Sequence, residues 1–262
     1  MASTAETLTV AALQWPASLD AAANRAALAA APTADLLVLP EAFARDFGPA
    51  TDPLAPYAEA QGGPFDLAVR DLAARTEATV VAGMFETSED PERPFNTLLV
   101  RGGEAAAYRK IHLYDSFGYR ESERLHAGEW KPLVVDVRGW KVGVMTCYDL
   151  RFPELGRALV DAGAEVIVVP AAWLPGRTDA EHERKLDHWR TLARARAIED
   201  VSYVVAVGQP APRYTGCSLV VAPTGEVVAE AGPERTELTA VLHRAVLDEA
   251  RATNPSLANR VR

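Results

Sequence analysis

Short apolar runs alternate with helical patterns from one end of the chain to the other. Leu8 to Leu13, Asp35 to Leu39 and Thr79 to Phe85 predict strands, the second stopping at Pro40-Glu41. Ala21 to Ala31 is Ala-rich and predicts a helix with Asp20 as its N-cap. Pro64 to Thr76 sets Leu67, Ala68, Leu72 and Arg75 at helical spacing. Asn96 to Val100 and Glu104 to Arg109 flank Gly102-Gly103, which predicts a hairpin. Lys141 to Thr146 predicts a strand ending at Cys147, followed by a helix over Glu154 to Ala162 closed by Gly163. Glu165 to Val169 reads as a buried strand. Asp179 to Asp200 reads as a long helix with Leu186, Trp189, Leu192, Ala193 and Ala197 on one face. Val201 to Val207, then Cys217 to Ala222 and Glu226 to Glu230 around Pro223-Thr224-Gly225, complete the strands.

Runs such as Val-Ile-Val-Val suit strands buried on both faces or facing a second sheet. Hairpin turns mixed with helical crossovers predict mixed sheets in an α/β fold. No repeat or low-complexity linker breaks the pattern, so residues 1-262 read as a single domain. Phe43 to Gly63 holds Pro49, Pro53 and Pro56 and is either a loop over a site or an ordinary surface connection.

Composition narrows the function classes. Lys and Arg number 27 against 36 Asp and Glu, a net charge of −9, which argues against a broad nucleic-acid surface. No apolar stretch approaches the roughly 20 residues of a membrane span. Met1 to Thr7 lacks the basic and apolar regions of a signal peptide, so the expected compartment is the cytoplasm. The two cysteines, Cys147 and Cys217, are too few for a disulfide framework or a four-thiolate zinc site.

Three reactive side chains follow apolar strands: Glu41, Lys110 and Cys147. Ligand sites in α/β folds collect outside the carboxyl ends of strands. Cys147 also stands at a strand-to-helix junction, where free backbone N–H groups suit a thiolate or a developing oxyanion.

On these residues the sequence resembles the nitrilase (carbon–nitrogen hydrolase) superfamily. Leu39-Pro40-Glu41, Tyr108-Arg109-Lys110-Ile111-His112-Leu113 and Cys147-Tyr148-Asp149-Leu150-Arg151-Phe152-Pro153-Glu154 resemble its three motifs in order and separation. Asn96-Thr97, Glu121-Ser122 with Gly128, the run from Ala193 to Glu199 and Pro223-Thr224-Gly225 extend the likeness. The resemblance implies a four-layer α-β-β-α sandwich with two mixed β-sheets, no metal or organic cofactor, and a homodimer or higher homo-oligomer. It implies a Glu-Lys-Cys triad in which Glu41 is the base, Cys147 the nucleophile, and Lys110 with the Tyr148 backbone N–H the oxyanion donors. Glu121 would support Lys110 or the substrate.

Within the superfamily, Cys147-Tyr148-Asp149 and Arg151-Phe152-Pro153-Glu154 resemble the amidase branches, especially ω-amidases and amidases of deaminated glutathione. The expected substrate is a small primary amide. N-carbamoyl amino acid hydrolysis and a non-catalytic member remain the alternatives, together with a Cys-His hydrolase using His112 or His188. Trp173 lines the pocket or packs in the core, and Phe117 and Tyr119 are placed to cap the site. Arg177 binds a substrate carboxylate or is simply solvated. Arg151 does the same or, as the better reading, pairs with Glu154 to brace the helix start. Cys217 reads as a packing residue within a strand.

Overall fold

Side chains of the first strand, β1 (Thr7–Gln14), alternate between two cores. Val10 and Ala12 face one, and Ala11 and Leu13 face the other. That two-residue period places a strand between two layers, and it recurs further along. The computed structural model describes residues 5–261. The first four positions of the segment Met1 to Thr7, on which the compartment expectation partly rests, lie outside the described residues.

In chain order the remaining elements are α1 (Ala21–Ala27), β2 (Leu36–Val38), α2 (Pro64–Thr76), β3 (Thr79–Glu86), β4 (Phe95–Arg101), β5 (Ala106–Arg109), β6 (Asp115–Ser116), β7 (Tyr119–Arg120), β8 (Leu133–Val137), β9 (Trp140–Val144), α3 (Pro153–Asp161), β10 (Val166–Ala171), α4 (Asp179–Asp200), β11 (Tyr203–Gly208), β12 (Leu219–Val221), β13 (Val227–Glu230), β14 (Thr236–His243) and α5 (Arg244–Thr253). Two six-stranded sheets form, in the orders β14-β1-β2-β3-β4-β5 and β13-β12-β11-β10-β9-β8, and β6 and β7 make a small hairpin. Both sheets are mixed. In the first, β1-β2-β3 run parallel and the outer pairs are antiparallel. In the second, β9-β10-β11 run parallel and the outer pairs are again antiparallel. The two sheets therefore share one pattern of parallel and antiparallel pairs, although β14 comes from the far end of the chain and the sequence shows no repeat.

The cores follow from this alternation. Leu36, Val38, Val81, Leu98 and Val100 of the first sheet join Val142, Val144, Val166 and Val168 of the second in one continuous apolar cluster between the sheets. Leu37, Leu39, Val80, Ala82 and Leu99 point the other way, onto Phe65, Val69 and Leu72 of α2. Leu155 and Leu159 of α3 and Trp189, Ala193 and Ala197 of α4 close the far side of the second sheet. The layers are therefore helices, sheet, sheet, helices, as expected. Among the described residues no helix is long and apolar enough to cross a membrane.

Local rules account for most boundaries. Asp20 caps α1, its carboxylate accepting the Ala22 and Ala23 N–H groups at 2.9 and 3.2 Å. Pro64 and Pro153 occupy the first turns of α2 and α3, where no N–H is needed. The structure departs from the sequence reading at β8, β14 and α5, which the apolar pattern did not flag. β14 is an edge strand whose side chains alternate between half-buried and exposed until Ala240, so its apolar signal is weak. The predicted strand from Cys217 is shorter, β12 beginning at Leu219. Cys217 precedes it, with φ of 53°.

Candidate active site

The parallel strands of each sheet end on the same side of the molecule, and three reactive residues follow strand ends there. Glu41 lies just beyond β2. Ala42 after it takes a φ of 54°, and this turn rests on β3. A Cβ on Gly83 would stand 2.4 Å from the Ala42 nitrogen, so only glycine admits the approach. Lys110 follows β5 and is pinned from both sides. Its N–H donates to the Asn96 carbonyl at 2.8 Å, and its carbonyl accepts the Gly128 N–H at 2.8 Å. Cys147 follows β9 at the start of a short 3-10 turn, Cys147–Arg151, with φ of 49°. Thr146 anchors that turn by donating its hydroxyl to the Pro170 carbonyl at 2.8 Å.

The side chains meet in a buried cluster. The Lys110 ammonium donates to Glu41 Oε1 at 2.9 Å and to both oxygens of Glu121 at 3.0 and 2.9 Å. Glu41 Oε1 also accepts Asn96 Nδ2 at 2.7 Å, and Oε2 accepts the Ala172 N–H at 2.8 Å. Ala172 follows β10, the counterpart in the second sheet of the β2 that carries Glu41. Glu121 additionally accepts the Tyr114 N–H at 2.5 Å. Glu41, Lys110 and Glu121 are each no more than 2% exposed.

Burial opposes a charge on Lys110, but the Glu121 and Glu41 carboxylates outweigh it and hold the ammonium well above the usual lysine range. Burial raises Glu121, with Lys110 pulling it down and Glu41 pushing it up. Burial also pushes the Cys147 thiol well above its ordinary value. The Glu41 charge adds to that rise and Lys110 opposes it. Burial first, and then the carboxylates around one ammonium, thus push the thiol toward its protonated form. The sequence reading of a turn that favours a thiolate describes half of the balance. The thiol needs a base, and Glu41 is the carboxylate in contact with it.

Above the cluster opens a cavity of about 420 Å³, within the range of small-molecule sites. Glu41, Lys110, Glu121 and Cys147 line its floor, and Phe117, Tyr119, Trp173 and Arg177 line its walls. Tyr148 is absent from that lining, and its side chain packs edge-on against Tyr114 and Phe152. Its N–H lies in the first turn after Thr146, where a helix leaves amides unpaired. Phe47 to Ala50 cover the cavity, so part of Phe43 to Gly63 is a loop over the site. Arg213 and Tyr214 fasten that loop through Asp46 at 2.8 and 2.7 Å, and Arg124 holds the Phe47 carbonyl at 2.8 Å.

Arg151 corrects the sequence reading. It forms no ion pair with Glu154; its guanidinium lines the cavity, 5.0 Å from the Trp173 ring centre and 5.8 Å from that of Tyr148. Its Nε is buried without a hydrogen-bond partner. Arg177 and Lys185 stand on the same side of the cavity. Among the described residues, none of these three cations has a carboxylate within 4 Å. Burial, together with the Arg151 and Arg177 charges, pushes Lys185 below the usual lysine range. The sequence reading missed Lys185, Tyr114, Arg213, Tyr214 and Gly83. Of these only Gly83, a glycine inside an apolar strand, carried a local signal. His112 and His188 are not in the cavity lining, and His112 stacks on Phe152 at 3.7 Å.

Comparison with known proteins gives a consistent result. The profile of the family described as carbon-nitrogen hydrolase matches residues 6–252. A deaminated glutathione amidase of Escherichia coli O157:H7 is 38% identical over 94% of this chain and 92% of its own length. An omega-amidase of Xenopus laevis is 34% identical over 85% of this chain and 81% of its own. A solved CN-hydrolase superfamily protein of Xanthomonas campestris, with an arsenic adduct in its active site, superposes with a TM-score of 0.86. It is 30% identical, and the match covers 98% of both chains.

Proposed function

The chain belongs to the carbon–nitrogen hydrolase family, and from that premise we propose that it is an amidase for a small primary amide whose acyl chain carries a carboxylate. The observation that carries this reading is the meeting of Glu41, Lys110 and Cys147 at the floor of one cavity. Glu41 takes the thiol proton as Cys147 sulfur attacks the amide carbonyl carbon. The Lys110 ammonium and the Tyr148 N–H hold the resulting oxyanion. Glu41 then gives its proton to the nitrogen, the C–N bond breaks, and ammonia leaves a thioester on Cys147. Glu41 next takes a proton from water, whose oxygen attacks the thioester carbonyl. The C–S bond breaks, the proton returns to sulfur, and the carboxylic acid departs. Glu121 supports Lys110 throughout, since both of its oxygens hold the ammonium.

The carboxylate on the substrate is supported by Arg151, Arg177 and Lys185, which lack carboxylate partners at the cavity wall. A half-buried guanidinium whose Nε is buried and unpaired gains most from an anion. The named activities of the two amidase relatives suit the same reading. A cytoplasmic setting, which keeps the thiol reduced, fits it too.

The test is ammonia release over succinamate, deaminated glutathione, an N-carbamoyl amino acid, a nitrile and uncharged butyramide. Succinamate or deaminated glutathione is expected to be turned over fastest. The Cys147→Ala variant, which is expected to fold normally, should lose ammonia release with all of them. Turnover by Cys147→Ala would falsify the thioester route, and a clear preference for butyramide would overturn the carboxylate reading.

A further inference from the structure

Asp149 is wholly buried, yet the chemistry above gives it no part. Its carboxylate accepts four hydrogen bonds from two separate segments of the chain. Oδ2 takes the Thr146 N–H at 3.0 Å and the Tyr108 hydroxyl at 2.6 Å. Oδ1 takes the His112 N–H at 3.1 Å and contacts His112 Nδ1 at 2.8 Å. Thr146 immediately precedes Cys147, and Tyr108 and His112 lie two residues to either side of Lys110. A single carboxylate thus ties the Cys147 turn, which leaves the second sheet, to the chain carrying Lys110, which leaves the first.

We propose that Asp149 is a positioning residue that sets the Lys110 ammonium relative to the Cys147 sulfur, with Tyr108 as its link to the Lys110 segment. The inference rests on the reading of Cys147 as nucleophile and Lys110 as oxyanion donor. A carboxylate suits the post because all four contacts are met by acceptors. An asparagine would turn its NH2 group either on the Thr146 N–H or on the His112 N–H, and one tie would open. Tyr108→Phe is the gentler cut, because it removes one hydroxyl and leaves the ring in the core. A shift of about 1 Å between reacting groups is enough to slow a step about 100-fold.

The experiment is the burst of p-nitrophenolate released when p-nitrophenyl acetate acylates Cys147. It reads acylation without reference to the natural amide. Its amplitude counts folded, competent sites, and its rate constant reports their geometry. Tyr108→Phe and Asp149→Asn are each expected to keep wild-type amplitude and slow the burst about 10- to 100-fold. With succinamate, kcat should fall to match while KM stays within about twofold. The double variant should be no slower than the worse single one, because both cut the same tie.

A Tyr108→Phe variant with wild-type burst rate and kcat overturns the proposal. So does a loss confined to amplitude, which marks a folding role, or losses that multiply in the double variant. If Asp149→Asn does not fold, Tyr108→Phe decides alone. A burst that survives in Cys147→Ala overturns the nucleophile reading and the clamp with it. A silent Cys147→Ala beside an unaltered Tyr108→Phe overturns the clamp alone.

Discussion

Glu41 accepts from Lys110, Asn96 and the Ala172 backbone at once, yet the proposed mechanism asks it also to receive and return a proton. Its negative charge has a second effect, for it helps to keep the Cys147 thiol protonated. The two roles separate in Glu41→Gln. Loss of the base should cut turnover by about 1,000-fold or more. Loss of the charge leaves the Lys110 ammonium to favour the thiolate, so the thiol should ionise at lower pH than in the wild type. Thiolate absorbance near 240 nm, followed against pH, checks the sign. A midpoint equal to or above the wild-type one would remove Glu41 from the thiol's surroundings.

Arg151 supplies the second prediction at this scale. Arg151→Leu keeps the apolar packing on Trp173 and removes the charge. KM for succinamate is expected to rise about 10- to 100-fold, the worth of a hydrogen bond to a charged group. KM for butyramide should change little, and steady-state kinetics on the pair make the comparison. That Glu41, Lys110 and Cys147 would meet was legible in the sequence because each follows an apolar strand in a recognisable motif. The local role of Arg151 was misread because Glu154, three residues on, offers a plausible partner. Only the packed structure shows Trp173 and the cavity claiming the guanidinium instead.

At the scale of elements, the contact between α3 and α4 stores an unusual group. Asp200 closes α4 beneath Gly156 of α3, where a Cβ would stand 2.6 Å from Asp200 Oδ2. Neither carboxylate oxygen has a hydrogen-bond partner, though Arg157 approaches to 3.4 Å. Burial pushes the carboxyl up from 3.8 to about 6, against the pull of Arg157 and Arg196. The folded state therefore prefers the protonated form. Relative stability from this group is full below pH 3.8 and is lost as pH rises through about 6. Asp200→Asn should accordingly be more stable than the wild type at pH 8, by at most about 3 kcal/mol. The advantage should shrink toward pH 4, and urea unfolding at both pH values measures it.

Most helices and central strands were readable at this scale. Asp179–Asp200 matches its predicted span and presents Trp189, Ala193 and Ala197 to the second sheet as its apolar spacing implied. The elements that were not readable lie at edges. β14 pairs along all of β1, but backbone hydrogen bonds across an edge leave no pattern in the side chains. Cys217 was placed in a strand because its neighbours are apolar. Its positive φ takes it out of the ladder, and its carbonyl accepts the Trp189 indole N–H at 2.8 Å instead.

At the scale of the whole molecule, the site lies where the two sheets are tied at one end by amide side chains. Gln209, just beyond β11, donates to the Glu41 carbonyl at 2.9 Å and accepts the Ala17 N–H at 3.0 Å. Gln14, the last residue of β1, accepts the Ser218 N–H and hydroxyl at 2.8 Å each and donates to the Gly232 carbonyl at 2.7 Å. Both glutamines are buried. Gln209→Met would fill the same space and strand the buried Glu41 carbonyl and the half-buried Ala17 N–H. The expected loss is about 2–4 kcal/mol, and calorimetry should show a melting point lower by roughly 5–15 °C. Turnover should fall too, because the Glu41 backbone loses its tie to the second sheet. A variant that melts earlier but turns over normally would confine Gln209 to stability.

The layers and the family were already settled by the linear chain. They rest on period-two and helical patterning, and on short motifs whose residues are neighbours in sequence. The three reactive side chains that the cavity gathers were flagged there too, since a strand end exposes the residue just beyond it. Packing alone decided the burial and neighbouring charge that raise the thiol, the fastening of the loop over Phe47 and the cations without carboxylate partners around Arg151. Each of these depends on groups tens to more than a hundred residues apart, brought together by the facing of two sheets. Electrostatic coupling and burial are properties of that distance in space, and the linear order of residues does not encode it directly.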